Sequence, residues 1–261
     1  MRILLSVLAL AGLIVPAEVQ AESPEEKGLA IAREDDRRDN GFQDFEAEMV
    51  MVLTNRQGDE ARRHIHTKNL EVEGDGDKSL VIFDEPRDVK GTALLNFSHK
   101  RETDDQWLYL PALKRVKRIS SANKSGAFMG SEFAYEDITS QEVEKYTYKW
   151  LRDEPLDGAN CFVFERYPAY ENSGYTRQVV WLDADEYRLR KIEYYDRKNE
   201  LLKTQTFSGY KQYLGQYWYP DAMHMVNHQT GKKTALLWSN YKFRAGFTDR
   251  DFNKNSLKRA R

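Results

Sequence analysis

The sequence predicts a mainly β protein whose antiparallel strands form a barrel or half-barrel. Most of the chain consists of segments in which apolar and polar residues alternate, and short turns rich in Gly, Asp and Asn separate them. Only one or two segments have a helical pattern, whereas about eleven have the pattern of a strand. A twisted sheet of so many strands does not stay flat, so we expect it to curl into a barrel or half-barrel.

The start of the chain has the pattern of a secretory signal peptide. Arg2 supplies a positive charge, residues 3–15 form an almost uninterrupted apolar run, and Ala21 completes a Val-Gln-Ala cleavage site. The apolar run is too short to span a membrane comfortably, because a spanning helix needs about 20 apolar residues. We expect a cleaved signal peptide over residues 1–21, a mature domain over residues 22–261, and export of the mature protein.

A helix is predicted at the start of the mature domain. Ser23 can cap it, Pro24 suits its first position, and Glu26 stands where a capping box needs a carboxylate. Gly41 is the expected stop, so the helix should run to about residue 40. Its few apolar residues predict a surface helix with one narrow contact stripe.

Strands follow in an antiparallel meander joined by short polar turns. The alternation in residues 45–53 gives the first strand one strongly apolar face. Residues 153–158, D-E-P-L-D-G, are predicted to separate two later strands. The eleven longer predicted strands are residues 45–53, 60–73, 79–84, 91–100, 143–152, 161–167, 175–183, 188–196, 201–213, 217–227 and 234–244.

The middle of the chain breaks this strand rhythm. Two short strand-like segments, residues 107–110 and 115–119, flank Pro111 and lead into a glycine-containing loop. Large apolar side chains in a loop must be buried, so the loop either caps the core or covers a cavity that a ligand enters. Four such residues lie outside any strand pattern: Phe128, Met129, Phe133 and Tyr135.

Candidate catalytic and metal-binding residues are sparse. His64 and His66 share one strand face at a spacing that suits a metal, but an ordinary exposed face is the better interpretation. Asp75 and Asp77 resemble a fragment of a calcium loop without its later glutamate, and a hairpin turn explains them better. Cys161 is the only cysteine, so no intramolecular disulfide can form, and its apolar strand predicts a buried thiol. We predict no metal and no cofactor.

Two charged clusters lie in or beside the central loop. Glu132, Glu136 and Asp137 could supply a carboxylate pair for acid–base chemistry, although capping or solvation explains them more simply. A basic run before the loop is either a solvated strand edge or a patch for anionic headgroups or an acidic partner. The run consists of Lys114, Arg115, Lys117 and Arg118. Over the whole chain 40 Lys and Arg nearly balance 42 Asp and Glu, which argues against nucleic-acid binding.

Several blocks of the sequence resemble a known family. The blocks are P-R-D-V-K-G-T-A-L-L, W-L-Y-L-P-A-L-K-R-V-K-R-I, F-M-G-S-E-F-A-Y-E-D, K-I-E-Y-Y-D and W-Y-P-D-A-M-H-M. They resemble the periplasmic outer membrane lipoprotein-sorting proteins, distant relatives of the LolA and LolB carriers, over nearly the whole mature chain. The resemblance implies an incomplete antiparallel barrel with a helical or loop lid over an apolar cavity for acyl chains of a lipoprotein or lipid. It also implies an inner-membrane transporter of the resistance-nodulation-division (RND, MMPL) type as a partner.

Together these observations predict a non-catalytic periplasmic carrier. Exposing an acyl chain to water costs roughly 0.8 kcal/mol per methylene, so an apolar cup can carry the chain across an aqueous compartment without any bond being made. Residues 120–140 are the predicted lid, and the basic run is the predicted docking or headgroup patch. The predicted cavity residues are large, apolar and on or beside the strands that flank the loop: Phe83, Leu95, Phe97, Leu108, Leu110, Phe128, Met129 and Phe133.

Two alternatives stay open on the sequence alone. An adaptor that binds a transporter through the basic strand without carrying cargo predicts a filled barrel with no cavity. A hydrolase predicts that Glu132, Glu136 or Asp137 lie together in a cleft with a perturbed pKa.

Overall fold

A computed structural model describes residues 21–258 of the chain. The predicted signal peptide therefore lies outside the described residues, except for its last residue. Helix α1 (Pro24–Asp39) follows Ser23, whose Oγ accepts a hydrogen bond from Glu26 N at 3.1 Å. In return Glu26 Oε2 accepts one from Ser23 N at 2.8 Å, which confirms the predicted capping box.

Fifteen strands and several short helices follow α1 in the described chain, against about eleven predicted strands. The strands are β1 (Asp44–Thr54), β2 (Glu60–Leu70), β3 (Lys78–Glu85), β4 (Ala93–Phe97), β5 (Asp105–Leu110), β6 (Arg115–Ile119), β7 (Tyr146–Leu156), β8 (Ala159–Pro168), β9 (Tyr175–Asp183), β10 (Leu189–Asp196), β11 (Leu201–Ser208), β12 (Lys211–Tyr213), β13 (Tyr217–Tyr219), β14 (Ala222–Asn227) and β15 (Lys233–Phe243). Short 3₁₀ helices span Pro111–Leu113, Ser121–Asn123, Phe128–Gly130, Tyr135–Asp137, Val143–Lys145 and Asp249–Asp251, and helix α2 spans Lys254–Leu257.

Thirteen strands form one antiparallel sheet that does not close into a barrel. Its order is β6-β5-β4-β3-β2-β1-β15-β14-β11-β10-β9-β8-β7. The first and last strands, β1 and β15, pair in the middle of the sheet, whereas β6 and β7 lie at its two edges. Because β6 and β7 are consecutive along the chain, residues 120–145 must cross the open side of the curved sheet. We call the face that they cover the concave face.

Two features of the strand pattern differ from the prediction. The predicted strands 201–213 and 217–227 each divide, because Gly209 has φ +69° and Pro220 has no N–H for a ladder, and β12 and β13 form a separate two-stranded sheet. The predicted separator 153–158 is mostly strand, since β7 is an edge strand and tolerates Pro155.

The core occupies both faces of the sheet. On the concave face the rings of Phe83 and Phe128 lie 5.9 Å apart, and neither side chain is exposed. The opposite, convex face of β3, β4 and β5 is covered by the C-terminal segment, in which Phe252 and Leu257 are buried beside Leu95. Within residues 21–258, no helix has the length and apolarity that crossing a membrane requires.

Candidate ligand-binding cavity

A cavity of about 1430 Å³ lies between helix α1 and the concave face of the sheet. Its wall includes the C-terminal half of α1, the segment between β2 and β3, residues 139–143, and side chains of β8, β9, β10 and β11. Pockets for drug-sized ligands typically measure about 300–1,000 Å³, so this cavity has room for a larger molecule.

The floor of the cavity is an apolar row that crosses three strands. Phe164 of β8 pairs directly with Val180 of β9, and Val180 pairs with Ile192 of β10. Side chains of direct cross-strand partners lie side by side on one face, so these three form a continuous apolar strip. Further apolar lining comes from Tyr148, Leu189, Phe207, Tyr210, Trp218 and Met223.

A polar row crosses the same face beside the apolar one. Its members are direct cross-strand partners from β7 to β14: Tyr148, Arg166, Gln178, Tyr194, Lys203 and Asn227. Arg166 stands two residues after Phe164 on β8, and alternate residues of a strand point to one face. Of the polar row, Tyr148, Arg166 and Tyr194 line the cavity, whereas the β11 and β14 members lie beneath the central loop.

The central loop is anchored to the far part of this row by two acidic residues. The Lys203 ammonium lies 2.6 Å from Asp137 Oδ2 and also donates to the Glu132 carbonyl at 2.9 Å. Asn227 Nδ2 donates to Glu132 Oε2 at 2.6 Å, and Tyr175 donates its hydroxyl hydrogen to Asp137 Oδ1 at 2.9 Å. Strands β9, β11 and β14 therefore hold the loop across the concave face.

Glu136 anchors the loop to a further element, the turn before β9. Its carboxylate accepts hydrogen bonds from Gly174 N at 2.8 Å, Ser173 Oγ at 2.9 Å and the Tyr170 hydroxyl at 3.0 Å. Burial is the largest effect on this carboxyl and raises its pKa, while the hydrogen bonds oppose the rise. The three loop carboxylates thus bind donors from different elements, which favours an anchoring role over the free carboxylate pair that a hydrolase needs.

None of the eight predicted cavity residues lines the large cavity. Six pack into the core on the part of the concave face that the loop fills: Phe83, Leu108, Leu110, Phe128, Met129 and Phe133. Leu95 and Phe97 belong to the convex cluster beneath the C-terminal segment. The inward face of each strand cannot be read from alternation alone, because a shift of one residue exchanges the faces. A ligand-binding role for these eight residues stays a prediction, and the cavity has other walls.

The cavity is covered by helix α1, while the predicted lid, residues 120–140, mainly fills the other half of the concave face. Phe128 is 0% exposed and Phe133 is 2% exposed, so the middle of the loop is core. A Cβ atom on Gly28 would lie 2.8 Å from Trp150 N, so α1 approaches β7 as closely as its glycine allows. A glycine inside a helix destabilises it by roughly 1 kcal/mol relative to alanine. Gly28 is therefore the feature of the sequence that could have indicated this close contact.

Acidic side chains line the part of the cavity wall formed by α1 and the segment after β2. Burial raises the pKa of Asp35 to about 8, and the neighbouring Asp39 and Asp36 carboxylates add to the shift. Burial also raises the pKa of Asp77 to about 7, with a further contribution from Glu142 and Glu71. Burial thus favours the protonated form of both Asp35 and Asp77.

The basic run lies at one edge of the sheet, on the hairpin of β5 and β6. All four of its residues are exposed, and Leu113 at the tip is 54% exposed. Arg118 pairs with Asp105, whereas Lys114, Arg115 and Lys117 form no ion pair with the described residues. The hairpin thus presents three unpaired cations around one exposed leucine.

The other candidates have local roles. His64 Nε2 lies 4.0 Å from Glu85 Oε2, and His66 Nε2 lies 3.5 Å from Glu46 Oε2. Residues 21–258 contain no cluster of three or more His, Cys, Asp or Glu that fits a metal ion. Asp75 Oδ2 lies 2.7 Å from His99 Nδ1 in the turn between strands. The thiol of Cys161 is buried, as predicted, and burial raises its pKa.

Comparison with known proteins connects this fold to a family. A model that describes an uncharacterized protein family matches residues 75–259. A protein of known structure from Vibrio parahaemolyticus, named as an outer membrane lipoprotein-sorting protein domain, is 60% identical, with a TM-score of 0.88 over 90% of this chain and 99% of that one. A DUF1329 family protein from Desulfovibrio piger is 34% identical, with a TM-score of 0.86 over 90% of this chain and 99% of that one.

A more distant structure supports the fold alone. A LolA superfamily protein from Nitrosomonas europaea is 22% identical, with a TM-score of 0.71 over 88% of this chain and 98% of that one. A search of curated proteins gave no match. The sequence identity of the two nearer structures, each covered almost completely, establishes that this chain belongs to the outer membrane lipoprotein-sorting protein family, with the open half-barrel fold of the LolA superfamily.

Proposed function

We propose that this protein is a periplasmic carrier that binds acyl chains of a lipoprotein or lipid beneath helix α1 and moves them toward the outer membrane. The observation that carries the proposal is the cavity of about 1430 Å³ with its apolar floor on β8, β9 and β10. Removing an acyl chain from water gains roughly 0.8 kcal/mol per methylene, so such a floor binds long chains in proportion to their length.

The division of the concave face favours a carrier over an adaptor without cargo. An adaptor predicts a filled concave face, and the loop does fill the half beneath β1 to β5 with Phe128 and Phe133. The half beneath α1, however, stays open as the cavity. A protein that only bridges other proteins has no need of that space.

Transfer of a ligand between carriers and membranes needs no bond to be made or broken, so the proposed function is not catalytic. The acidic residues that a hydrolase would need are bound by Lys203, Asn227 and the turn before β9. They hold the loop in place, and the family relatives named for sorting agree with a transport role.

The basic hairpin is the proposed docking element. Lys114, Arg115 and Lys117 surround the exposed Leu113, a combination that suits an anionic membrane surface, where the leucine enters the interface and the cations bind phosphate groups. Its place at the sheet edge keeps docking separate from the cavity. In this proposal the residues 1–21 direct the chain to the periplasm, and an RND (MMPL) transporter of the inner membrane supplies the ligand. The support for that transporter is the family resemblance.

The test is mass spectrometry of an organic extract from protein purified after maturation in the periplasm. Met223→Trp fills part of the cavity, because Met223 lines it. Leu237→Trp is the matched control, since Leu237 lies on the neighbouring strand, is 37% exposed and does not line the cavity. We expect an acyl-bearing species with wild type and the control and much less with Met223→Trp. A clean extract from all three, with no uptake of added lipid, would refute the proposal.

A further inference from the structure

The cavity contains one arginine whose charge the surrounding protein leaves uncompensated. Arg166 lines the cavity from the middle of β8, and its Nε donates to Gln178 Oε1 at 2.6 Å. A guanidinium has five N–H donors, so this single bond leaves its two terminal nitrogens for other partners. One face of the guanidinium lies 5.0 Å from the ring centroid of Tyr146. The side chain is thus held in place on one side and open on the other.

The other arginines on the cavity wall have carboxylate partners, and so does Lys203 in the polar row. Lys203, in the same polar row, pairs with Asp137 at 2.6 Å, and Arg38 on α1 pairs with Glu34 at 2.8 Å. Arg188 on the cavity wall pairs with Asp183 at 2.6 Å. Within residues 21–258, no carboxylate oxygen lies within 4.0 Å of the Arg166 guanidinium.

The carboxyl of Asp35 does not neutralise this arginine. Asp35 lies on α1, within range of the Arg166 charge, but burial raises its pKa to about 8. Burial thus favours the uncharged form of this carboxyl, which forms no ion pair with Arg166. An arginine stays protonated at any physiological pH, so the positive charge beside the apolar row persists.

The position of Arg166 suits the charged end of a long apolar molecule. Phe164 precedes Arg166 by two residues on β8, which places the apolar row about 6.6 Å from the arginine along the strand. An acyl chain lying on Phe164, Val180 and Ile192 would bring an anionic group at its end to the guanidinium. A chain that ends in a hydroxyl, or in an ester or amide with no anionic group beside it, leaves the guanidinium to water.

We infer that Arg166 binds the anionic group of an amphiphilic ligand, so that the cavity prefers acyl chains ending in a carboxylate or phosphate over uncharged chains. This inference rests on the proposed carrier function and specifies its ligand class. The free acid and the phosphate ester share the anionic oxygens that a guanidinium binds through two parallel hydrogen bonds.

The test compares three ligands that share a long chain: palmitate, lysophosphatidate and hexadecanol. Their affinities are measured by calorimetry, near neutral pH and below micelle-forming concentrations, on protein stripped of bound lipid. We expect wild type to bind the anionic ligands about tenfold or more tightly than hexadecanol, which is the effect of a hydrogen bond to a charged group. Arg166→Gln should remove this preference and leave hexadecanol binding unchanged. Of palmitate and lysophosphatidate, the one whose affinity falls more in Arg166→Gln shows whether the cavity prefers a carboxylate or a phosphate.

Arg38→Gln is the matched control, because Arg38 also lines the cavity but is paired with Glu34. It should leave the preference for anions intact. Arg166→Lys keeps the charge and should keep part of the preference, which provides a second variant in case Arg166→Gln does not fold. Equal binding of palmitate and hexadecanol by wild type, or an unchanged preference in Arg166→Gln, would overturn the inference while leaving the carrier function standing. Failure of wild type to bind any of the three would overturn both.

Discussion

The Asp137 carboxylate and the Lys203 ammonium lie 2.6 Å apart, and each side chain is only 4% exposed. Asp137 belongs to the loop that connects the two edges of the sheet, whereas Lys203 belongs to β11 near the middle of the sheet. A buried ion pair that joins segments so distant in sequence fixes where the loop crosses the concave face. It also sets the boundary between the filled half of that face and the cavity, since Asp137 is at the cavity wall.

Lys203→Met is expected to destabilise the protein by about 3–5 kcal/mol, because it leaves a buried carboxylate without its countercharge. The matched control is Lys242→Met, which removes a pair with Glu46 from a lysine that is 67% exposed and should cost less than about 1 kcal/mol. The free energy of unfolding, measured in urea, separates the two. Equal effects of both substitutions would show that the loop does not depend on this anchor.

Phe128→Ala tests whether the loop is core. The Phe128 side chain is fully buried against Phe83, so truncation should cost about 3–5 kcal/mol through lost burial and the space left behind. Leu113→Ala, at an exposed hairpin tip, should change stability by less than about 0.5 kcal/mol. Thermal unfolding without ligand measures both. A change in ligand binding with unchanged stability in Phe128→Ala would instead indicate a lid, as residues 120–140 were predicted to be.

Stability should fall as pH rises from about 5 to 8. Burial raises the pKa of Asp77 to about 7, from an unfolded value of about 3.9, so the folded protein binds a proton here that the unfolded chain has lost. The stability that this proton confers is complete below pH 4 and is lost as pH rises through 7. The carboxylates of Glu142, Glu71 and Asp39 face the same group and add to the effect.

Asp77→Asn should therefore raise the melting temperature at pH 8 by on the order of a few degrees and flatten its pH dependence. An asparagine oxygen can still accept the hydrogen bond from Val72 N, which is 3.2 Å long in the native protein. Asp185→Asn, at an exposed turn position, is the control and should change neither quantity. A pH profile of Asp77→Asn that matches the wild-type profile would contradict the assignment.

Replacing Lys114, Arg115 and Lys117 by Glu is expected to abolish binding to vesicles that contain anionic phospholipid. Each basic residue near such a surface contributes about 1 kcal/mol, so the triple variant should lose at least two orders of magnitude in affinity. Co-sedimentation with the vesicles at low and high salt is the measurement. The control places glutamates at the exposed Lys198, Lys232 and Lys233, which changes the net charge equally. An equal loss of vesicle affinity in the control would show that the net charge of the protein, and not the β5–β6 hairpin, controls binding.

Local chemistry made part of this structure predictable. The capping box of Ser23 and Glu26 marked the helix start, and Asp157 and Gly158, with φ +49° and +79°, make the two-residue turn that a D-G pair favours. The antiparallel meander followed from alternation. The number of strands predicted a barrel or half-barrel, and the family resemblance of the sequence blocks specified the incomplete form.

Contacts between distant segments were beyond the reach of local patterns. Nothing in the alternation reveals that β6 and β7 lie at opposite edges of the sheet, and that arrangement is what forces Phe128 and Phe133 into the core. Arg166 follows Glu165 in a strand where one residue of the pair must point inward, and the sequence cannot say which. The cavity itself depends on how closely α1 approaches β7, a distance that Gly28 only suggests.

Quenching of tryptophan fluorescence by a brominated fatty acid tests most directly whether an acyl chain occupies the cavity. Trp218 lines the cavity, whereas the other four tryptophans of the chain do not. We predict saturable quenching in wild-type protein that is largely lost in Trp218→Phe, although that variant still binds the unbrominated acid. Quenching of equal size in Trp218→Phe would place the chain elsewhere, and no saturable quenching in wild type would contradict the carrier function.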